Sequence, residues 1–283
     1  MKVRNVSVAG TRFLVRETGS GDGTPVLLLH GVPETSSVWR DVAPALAADG
    51  RRVLAPDLPG LGGSAYNGPF DLVNVTAQVL ALLDSELPAT RVDVVGHDWG
   101  GSVALALAAA RPERVRRLVV ANTVLHKVNP LRALHMPFFS LPGAPELLFR
   151  LGGRRVVEAM LDGAWRSSER LDPETRAEYV SAYTDPERVR AMLGYYRAAT
   201  RPRLAAAVGL RTPQHGRRRI EVERSLVVWG AEDWVLPIGV GESIVRDLGP
   251  SCSMVTIPGA GHYVVEEAPE VFLRVVRDFL AAD

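Results

Sequence analysis

Cysteine is almost absent from this chain: Cys252 is the only one among 283 residues. A single cysteine excludes an intrachain disulfide, so the fold relies on packing and polar contacts, which suits a reducing cytoplasm. Charge of one sign is also lacking, since 33 Lys and Arg face 32 Asp and Glu, a net charge of +1. That balance gives no electrostatic reason to expect nucleic acid or an acidic partner. The one basic cluster, Arg217-Arg218-Arg219, is followed by Glu221 and Glu223 and is expected to be a solvated loop. No apolar stretch is long and unbroken enough for a membrane span. Met1-Lys2-Val3-Arg4-Asn5 runs into strand-like sequence without the apolar core of a signal peptide. Repeats, heptads and low-complexity segments are missing too. The expectation is a soluble, cytoplasmic protein with no nucleic-acid or membrane partner and a homodimer left open. What remains is 47% hydrophobic and 23% charged, the composition of a globular protein with a large core.

Apolar periodicity then divides the chain. Residues 3–9 and 11–17 alternate around Gly10 and predict an antiparallel hairpin. Pro25-Val26-Leu27-Leu28-Leu29 is a short apolar run of the kind that forms a buried parallel strand. A helix over 41–49, a strand over 52–57, a Gly-rich loop over 59–64 and an amphipathic helix over 72–83 follow. Arg91-Val92-Asp93-Val94-Val95 and residues 117–122 continue the strand pattern. From about 130 to 213 no convincing buried strand occurs, only helix-like stretches punctuated by Pro and Gly. Strand character resumes at 225–230 and 253–257, and 269–281 predicts a last helix. The fold class is α/β: a mostly parallel sheet flanked by helices, with core segments 1–128 and 214–283 and a helical cap, 129–213, over the carboxyl edge.

Reactive groups of such sheets gather where strands end. The strand-end residues here are His30 to Pro33, Asp57, Asp98, Asn122, Asp233 and His262. Asp98 sits in Gly96-His97-Asp98-Trp99-Gly100, between a strand and a helix, the layout of a nucleophile elbow. Its glycines permit close approach of strand and helix and a strained central residue. Alone, Asp98 suits a helix start equally well. The later acid and histidine shift the balance, because nucleophile, acid, histidine is the chain order of this arrangement. Asp233 alone suits a turn, and Glu232 beside it is a competing acid. His262 follows Gly259-Ala260-Gly261, a loop built for backbone freedom rather than for a packed core histidine.

The combination resembles the epoxide hydrolases of the α/β-hydrolase superfamily. His30-Gly31-Val32-Pro33, continued by Glu34 to Arg40, and the elbow Gly96 to Gly101 carry the likeness, which spans nearly the whole core. The cap matches only at isolated positions. The resemblance places the acid at Asp233, by its offset from Trp229-Gly230, and the oxyanion donors at the backbone N–H groups of Val32 and Trp99, with Pro33 stiffening the turn that aims Val32. No cofactor or metal is implied.

A carboxylate is ionised at pH 7 without help, its ordinary pKa being about 4, and suits displacement at saturated carbon. The expected product is an alkyl ester on Asp98, hydrolysed by water that His262, oriented by Asp233, activates. An epoxide leaves as an alkoxide and needs a proton donor, whereas a halide needs N–H donors. Val32 offers no side-chain donor, which weakens a haloalkane dehalogenase reading. Trp99 stands where the similar fluoroacetate dehalogenases carry an arginine. A hydrolase-fold binding protein of low turnover is the remaining alternative.

The epoxide proton donors are expected in the cap. Tyr196 in Gly194-Tyr195-Tyr196-Arg197 resembles one of the family's two ring-opening tyrosines, although helical phase does not decide between it and Tyr195. The stretch expected to hold the second, before Pro142-Gly143, has no tyrosine, and His135 falls at that place. Imidazole N–H can donate to an epoxide oxygen as a phenol does. Tyr179 and Tyr183 suit one packed helix face. Trp39, Phe138, Phe139 and Trp234 are candidates for an apolar pocket wall.

Overall fold

The hairpin expected around Gly10 opens the fold: β1 (Lys2–Val8) pairs antiparallel with β2 (Thr11–Thr18). Gly10 supplies the left-handed turn, at φ +82°. The computed structural model describes residues 1–124, 135–207 and 220–282, with the side chains of His135 and of residues 201–207 outside the described part. The boundaries at 128/129 and 213/214 and the cluster Arg217 to Arg219 also lie outside the described residues.

Strands and helices then alternate. β3 (Gly23–Leu29) leads through a 3₁₀ turn (Ser36–Trp39) to α1 (Val42–Ala48) and β4 (Arg51–Pro56). α2 (Leu72–Glu86), capped by Asp71 accepting from the Asn74 N–H, precedes β5 (Val92–His97), α3 (Trp99–Ala110) and β6 (Val115–Ala121). The cap contributes α4 (His135–Phe139), α5 (Ala144–Gly152), α6 (Arg154–Ala164), α7 (Pro173–Ala182) and α8 (Pro186–Ala207). Among the described residues of this segment no strand occurs. The core resumes with β7 (Arg224–Gly230), α9 (Ile238–Leu248), β8 (Cys252–Ile257), α10 (Val264–Glu267) and α11 (Pro269–Ala281).

Among the described residues eight strands form one sheet in the order β1-β2-β4-β3-β5-β6-β7-β8, parallel from β4 through β8. Helices cover the central strands, so β3 and β5 are apolar runs rather than alternating ones: Val26 to Leu29, Val94 and Val95 are all at most 1% exposed. Each such side chain contributes about 1.5–3 kcal/mol through burial. Asp93 interrupts β5 and is fully buried, but its carboxylate accepts from Arg51 at 2.6 Å and from Arg116 at 2.8 and 2.6 Å.

Helix α9 has no counterpart in the sequence reading. Its two internal glycines, Gly239 and Gly241, lower its helix propensity and blur the apolar stripe. Gly241 is small for a reason, since a Cβ there would stand 2.8 Å from the Trp229 ring. The parallel order places the ends of β3, β5, β6 and β7 side by side, beneath the cap.

Candidate active site

Asp98 lies between β5 and α3 at φ +47° and ψ −118°, a backbone conformation that costs a non-glycine residue of order 1–3 kcal/mol. Its N–H donates to Ala121 O at 3.1 Å, and its carbonyl accepts from Ser102 N–H at 3.1 Å and from the Thr123 hydroxyl at 2.5 Å. The flanking glycines allow the sharp turn. A Cβ on Gly100 would stand 2.1 Å from Leu29 O, one on Gly96 2.4 Å from Gly100 O, and one on Gly101 2.6 Å from Thr123 Cβ.

The two carboxylate oxygens have different surroundings. Oδ2 accepts the Val32 backbone N–H at 2.9 Å, while Oδ1 lies 3.8 Å from His262 Nε2. Trp99 follows as the first residue of α3, where main-chain N–H groups have no intrahelical acceptor. Val32 is held in place by groups the sequence reading assigned no role. Glu34 Oε2 accepts from Gly31 N–H at 2.9 Å and from His97 Nδ1 at 2.8 Å, and His97 Nε2 reaches the His262 carbonyl at 2.8 Å. Burial opposes both charges, but the pair's mutual attraction outweighs it, lowering the Glu34 pKa and raising that of His97. Among the described residues Glu34 Oε1 has no donor. On the far side of the turn, His30 Nδ1–H donates to Gly31 O at 2.7 Å and Nε2 accepts from Leu58 N–H at 2.9 Å. Asp57 braces the same loops, accepting from Ser36 and Gly63 N–H, each at 2.6 Å.

His262 Nδ1–H donates to Asp233 Oδ2 at 2.8 Å. The other Asp233 oxygen accepts from Val235 N–H at 2.8 Å and Leu236 N–H at 2.9 Å. Asn122, at the end of β6, donates to Asp233 Oδ2 at 2.7 Å and accepts the Gly230 N–H at 3.0 Å. Burial alone would pull the His262 pKa down, yet Asp233 first and Asp98 after it push it up to about 9. The Asp233 pKa is lowered, because His262 and the donors outweigh burial. Asp98, Asp233 and His262 thus stand together, and Asp233 rather than Glu232 faces the histidine.

Above Asp98 a cavity of about 390 Å³ separates core from cap, lined by Val32, Asp98, Trp99, Phe139, Tyr196 and Trp234 among others. Tyr196, on α8, packs edge-on against the Trp99 ring at 5.3 Å. Burial and the Asp98 charge raise its pKa. Tyr195 also touches the cavity, but its hydroxyl donates to Pro59 O at 2.8 Å, which separates the two neighbours. His135 opens α4, and its side chain lies outside the described residues. Trp39 is a correction to the expected wall: it is fully buried in the core against Phe272, at 6.3 Å, and does not line the cavity. Phe138 is off the lining as well, because α4 turns Phe139 inward instead. Trp234 is half-exposed at the cavity edge, its indole donating to Gly163 O at 2.8 Å. Among the described residues no cluster of His, Cys, Asp and Glu could hold a metal, and no helix is long and apolar enough to cross a membrane.

Residues 24–269 match the family described as the alpha/beta hydrolase fold. The chain is 29% identical over 286 residues to a soluble epoxide hydrolase of a Corynebacterium species, covering 93% of this chain and 92% of that one. It is 30% identical over 285 residues to a 2-hydroxy-6-oxo-2,4-heptadienoate hydrolase of Pseudomonas putida, covering 99% and 96%. Among solved structures, potato (Solanum tuberosum) epoxide hydrolase I superposes with a TM-score of 0.82 at 27% identity, covering 99% of this chain and 98% of that one.

Proposed function

Because the chain belongs to the alpha/beta hydrolase fold family, we propose that it is a hydrolase of that family and, more specifically, an epoxide hydrolase forming a vicinal diol through an ester on Asp98. The observation that carries this reading is the asymmetry of the Asp98 carboxylate. Oδ2 rests against the Val32 N–H at 2.9 Å, and Oδ1 faces His262 beneath Tyr196.

Oδ1 attacks a ring carbon, the ring C–O bond breaks, and Tyr196 gives its proton to the departing oxygen. The product is a 2-hydroxyalkyl ester whose carbonyl oxygen is Oδ2. His262 then takes a proton from water, and the hydroxide adds to the Asp98 carboxyl carbon. The oxyanion forms on Oδ2, where the N–H groups of Val32 and Trp99 stabilise it. Collapse breaks the bond between the Asp98 carboxyl carbon and Oδ1 and releases the diol, whose oxygen takes the proton from His262, while the proton left on the new Asp98 carboxyl returns to the Tyr196 phenolate. A base with a pKa of about 9 is protonated at pH 7 in the free enzyme. Esterification removes the Asp98 charge, one of the causes of that rise, and so lowers the His262 pKa when a base is required. His135 is proposed as the second donor to the epoxide oxygen.

Two observations favour the epoxide over a halide. Tyr196 stands over the cavity edge-on to Trp99, offering the phenol proton donor that an alkoxide needs and a halide does not, and Val32 adds no side-chain donor for a second contact to a halide. The cavity walls named above are mainly apolar, suiting a neutral, apolar epoxide.

His262→Gln, mixed with styrene oxide, is expected to accumulate an Asp98 ester of one added substrate mass. Single turnover of the unaltered protein in ¹⁸O-enriched water is expected to place label in Asp98. Label found only in the diol would overturn the covalent scheme. Halide release from haloalkanes without diol formation would favour the dehalogenase. Tight binding of both probe classes without turnover would favour a binding protein.

A further inference from the structure

One carboxylate outside the triad grips the His262 loop from both sides. Glu267, in α10, is 8% exposed. Its Oε1 accepts the Tyr263 N–H at 3.0 Å and its Oε2 the Gly261 N–H at 3.0 Å, so the residues before and after His262 are tied to the same group. Oε2 also accepts two N–H groups from the cap, those of Arg166 and Ser167, both at 2.7 Å. These follow α6, whose Ala159, Met160, Gly163 and Ala164 form one wall of the cavity.

Two more bonds join the same parts. Tyr263 Oη donates to Met160 O at 3.3 Å, and Trp234, next to Asp233, donates to Gly163 O at 2.8 Å. The junction has no spare room: a Cβ on Gly261 would stand 2.7 Å from Arg166 Cγ and 2.9 Å from Ala164 O. A buried carboxylate with charge-assisted bonds to four main-chain donors is a strong tether. Merely capping the short α10 would not require donors from the cap.

We infer that Glu267 is a positioning residue for ester hydrolysis, fixing His262 between Asp233 and Asp98 and coupling that placement to the α6 wall over the substrate. The inference rests on the ester mechanism proposed above. Displacement of a catalytic group by about 1 Å can cost a hundredfold in rate. Asp98 itself is held by Val32, Ala121, Ser102 and Thr123, whereas the donors to Glu267 are Gly261, Tyr263, Arg166 and Ser167. Attack on the epoxide therefore does not depend on Glu267, whereas hydrolysis does.

The test compares the full chain with Glu267→Gln and Glu267→Ala. In rapid-quench single turnover with styrene oxide, ester formation is expected to stay within about twofold of the unaltered protein. Hydrolysis is expected to slow about tenfold in Glu267→Gln, which keeps an acceptor for the Oε2 donors but turns an amide NH₂ toward Tyr263 N–H, and about a hundredfold in Glu267→Ala. Equal slowing of both steps, or unchanged hydrolysis, overturns the proposal. Should Glu267→Ala not fold, Glu267→Gln decides.

A second readout needs no substrate. The His262 imidazole is followed by ¹⁵N NMR, assigned by its loss in His262→Gln. Its pKa is expected to fall from about 9 toward the ordinary 6.5 in the Glu267 variants, because the Asp233 contact loosens. An unchanged titration overturns the positioning role whatever the reaction. A shifted titration with no ester in the unaltered protein supports that role and overturns the ester mechanism instead.

Discussion

In the proposed mechanism Asp98 and Tyr196 divide the first chemical step between them, and each has a distinct signature. Tyr196→Phe removes the proton donor but keeps the ring packed on Trp99 at 5.3 Å. Ester formation from styrene oxide is expected to slow about a hundredfold, the usual worth of a positioned acid, with the melting temperature nearly unchanged. An equal rate in rapid-quench assays would remove Tyr196 from the chemistry. Asn122→Ala acts elsewhere. It takes a donor from Asp233 and leaves the buried Gly230 N–H without its 3.0 Å acceptor. Hydrolysis of the ester is expected to slow about tenfold, with a loss of about 1–3 kcal/mol in unfolding free energy, the cost of an unpaired buried donor. Asp98, Asp233 and His262 were legible because each stands beside a motif of its own. Asn122 stood among the strand-end residues, but its link to Asp233 exists only because β6 and β7 are neighbours. Glu34 and His97 were legible only as parts of the two motifs, since their pairing spans 63 residues.

Among the elements, α3 depends most on a single residue type. Gly100→Ala would place a Cβ 2.1 Å from Leu29 O, which is backbone and cannot swing aside. Overpacking of this kind costs about 1–3 kcal/mol or more. At about 2–4 °C per kcal/mol in a chain of this size, melting is expected to fall several degrees, and the elbow to be displaced with loss of activity. Calorimetry and an epoxide assay check both. Helix α7 carries the other element-scale prediction. Its Tyr179 hydroxyl donates to Glu266 at 2.6 Å, and Arg40 holds the same carboxylate at 2.8 and 2.7 Å. Tyr183 donates to Glu34 O at 2.9 Å. Helical spacing identifies these tyrosines as one packed face, and both are buried. It does not report that their hydroxyls fasten the cap to the core. Tyr179→Phe is expected to lower stability by about 1–2 kcal/mol while leaving ester formation intact, and a fall in both would assign Tyr179 a closer role.

For the whole molecule the testable quantity is pH dependence. The His262 pKa is raised to about 9 from an ordinary 6.5. A raised folded-state value stabilises the fold in full below the unfolded value and loses that contribution as pH rises through the folded one. The unfolding free-energy difference between the unaltered protein and His262→Gln is therefore expected to shrink between pH 6.5 and about 9. A constant difference in denaturant titrations would contradict the raised pKa. Ester hydrolysis is expected to rise with pH, with its midpoint below 9 because the ester carries no Asp98 charge.

By itself the sequence determined the α/β alternation, the helical insertion and the place of Asp98 on the turn between β5 and α3, because each is written in local period or contiguous motif. Helix α9 escaped it where glycines break the period, although Gly241 is needed for packing on Trp229. The pocket wall could not be read from composition either: Trp39 and Phe139 are both buried aromatics, and only their places in three dimensions put one in the core and the other over Asp98. Tertiary structure also decided between Tyr195 and Tyr196, through the Pro59 carbonyl, and between Asp233 and Glu232, through the histidine. Tether residues such as Asn122 and Glu267 act across 111 and about 100 residues of chain. Such bonds depend on strand adjacency and cap docking, which no local pattern encodes.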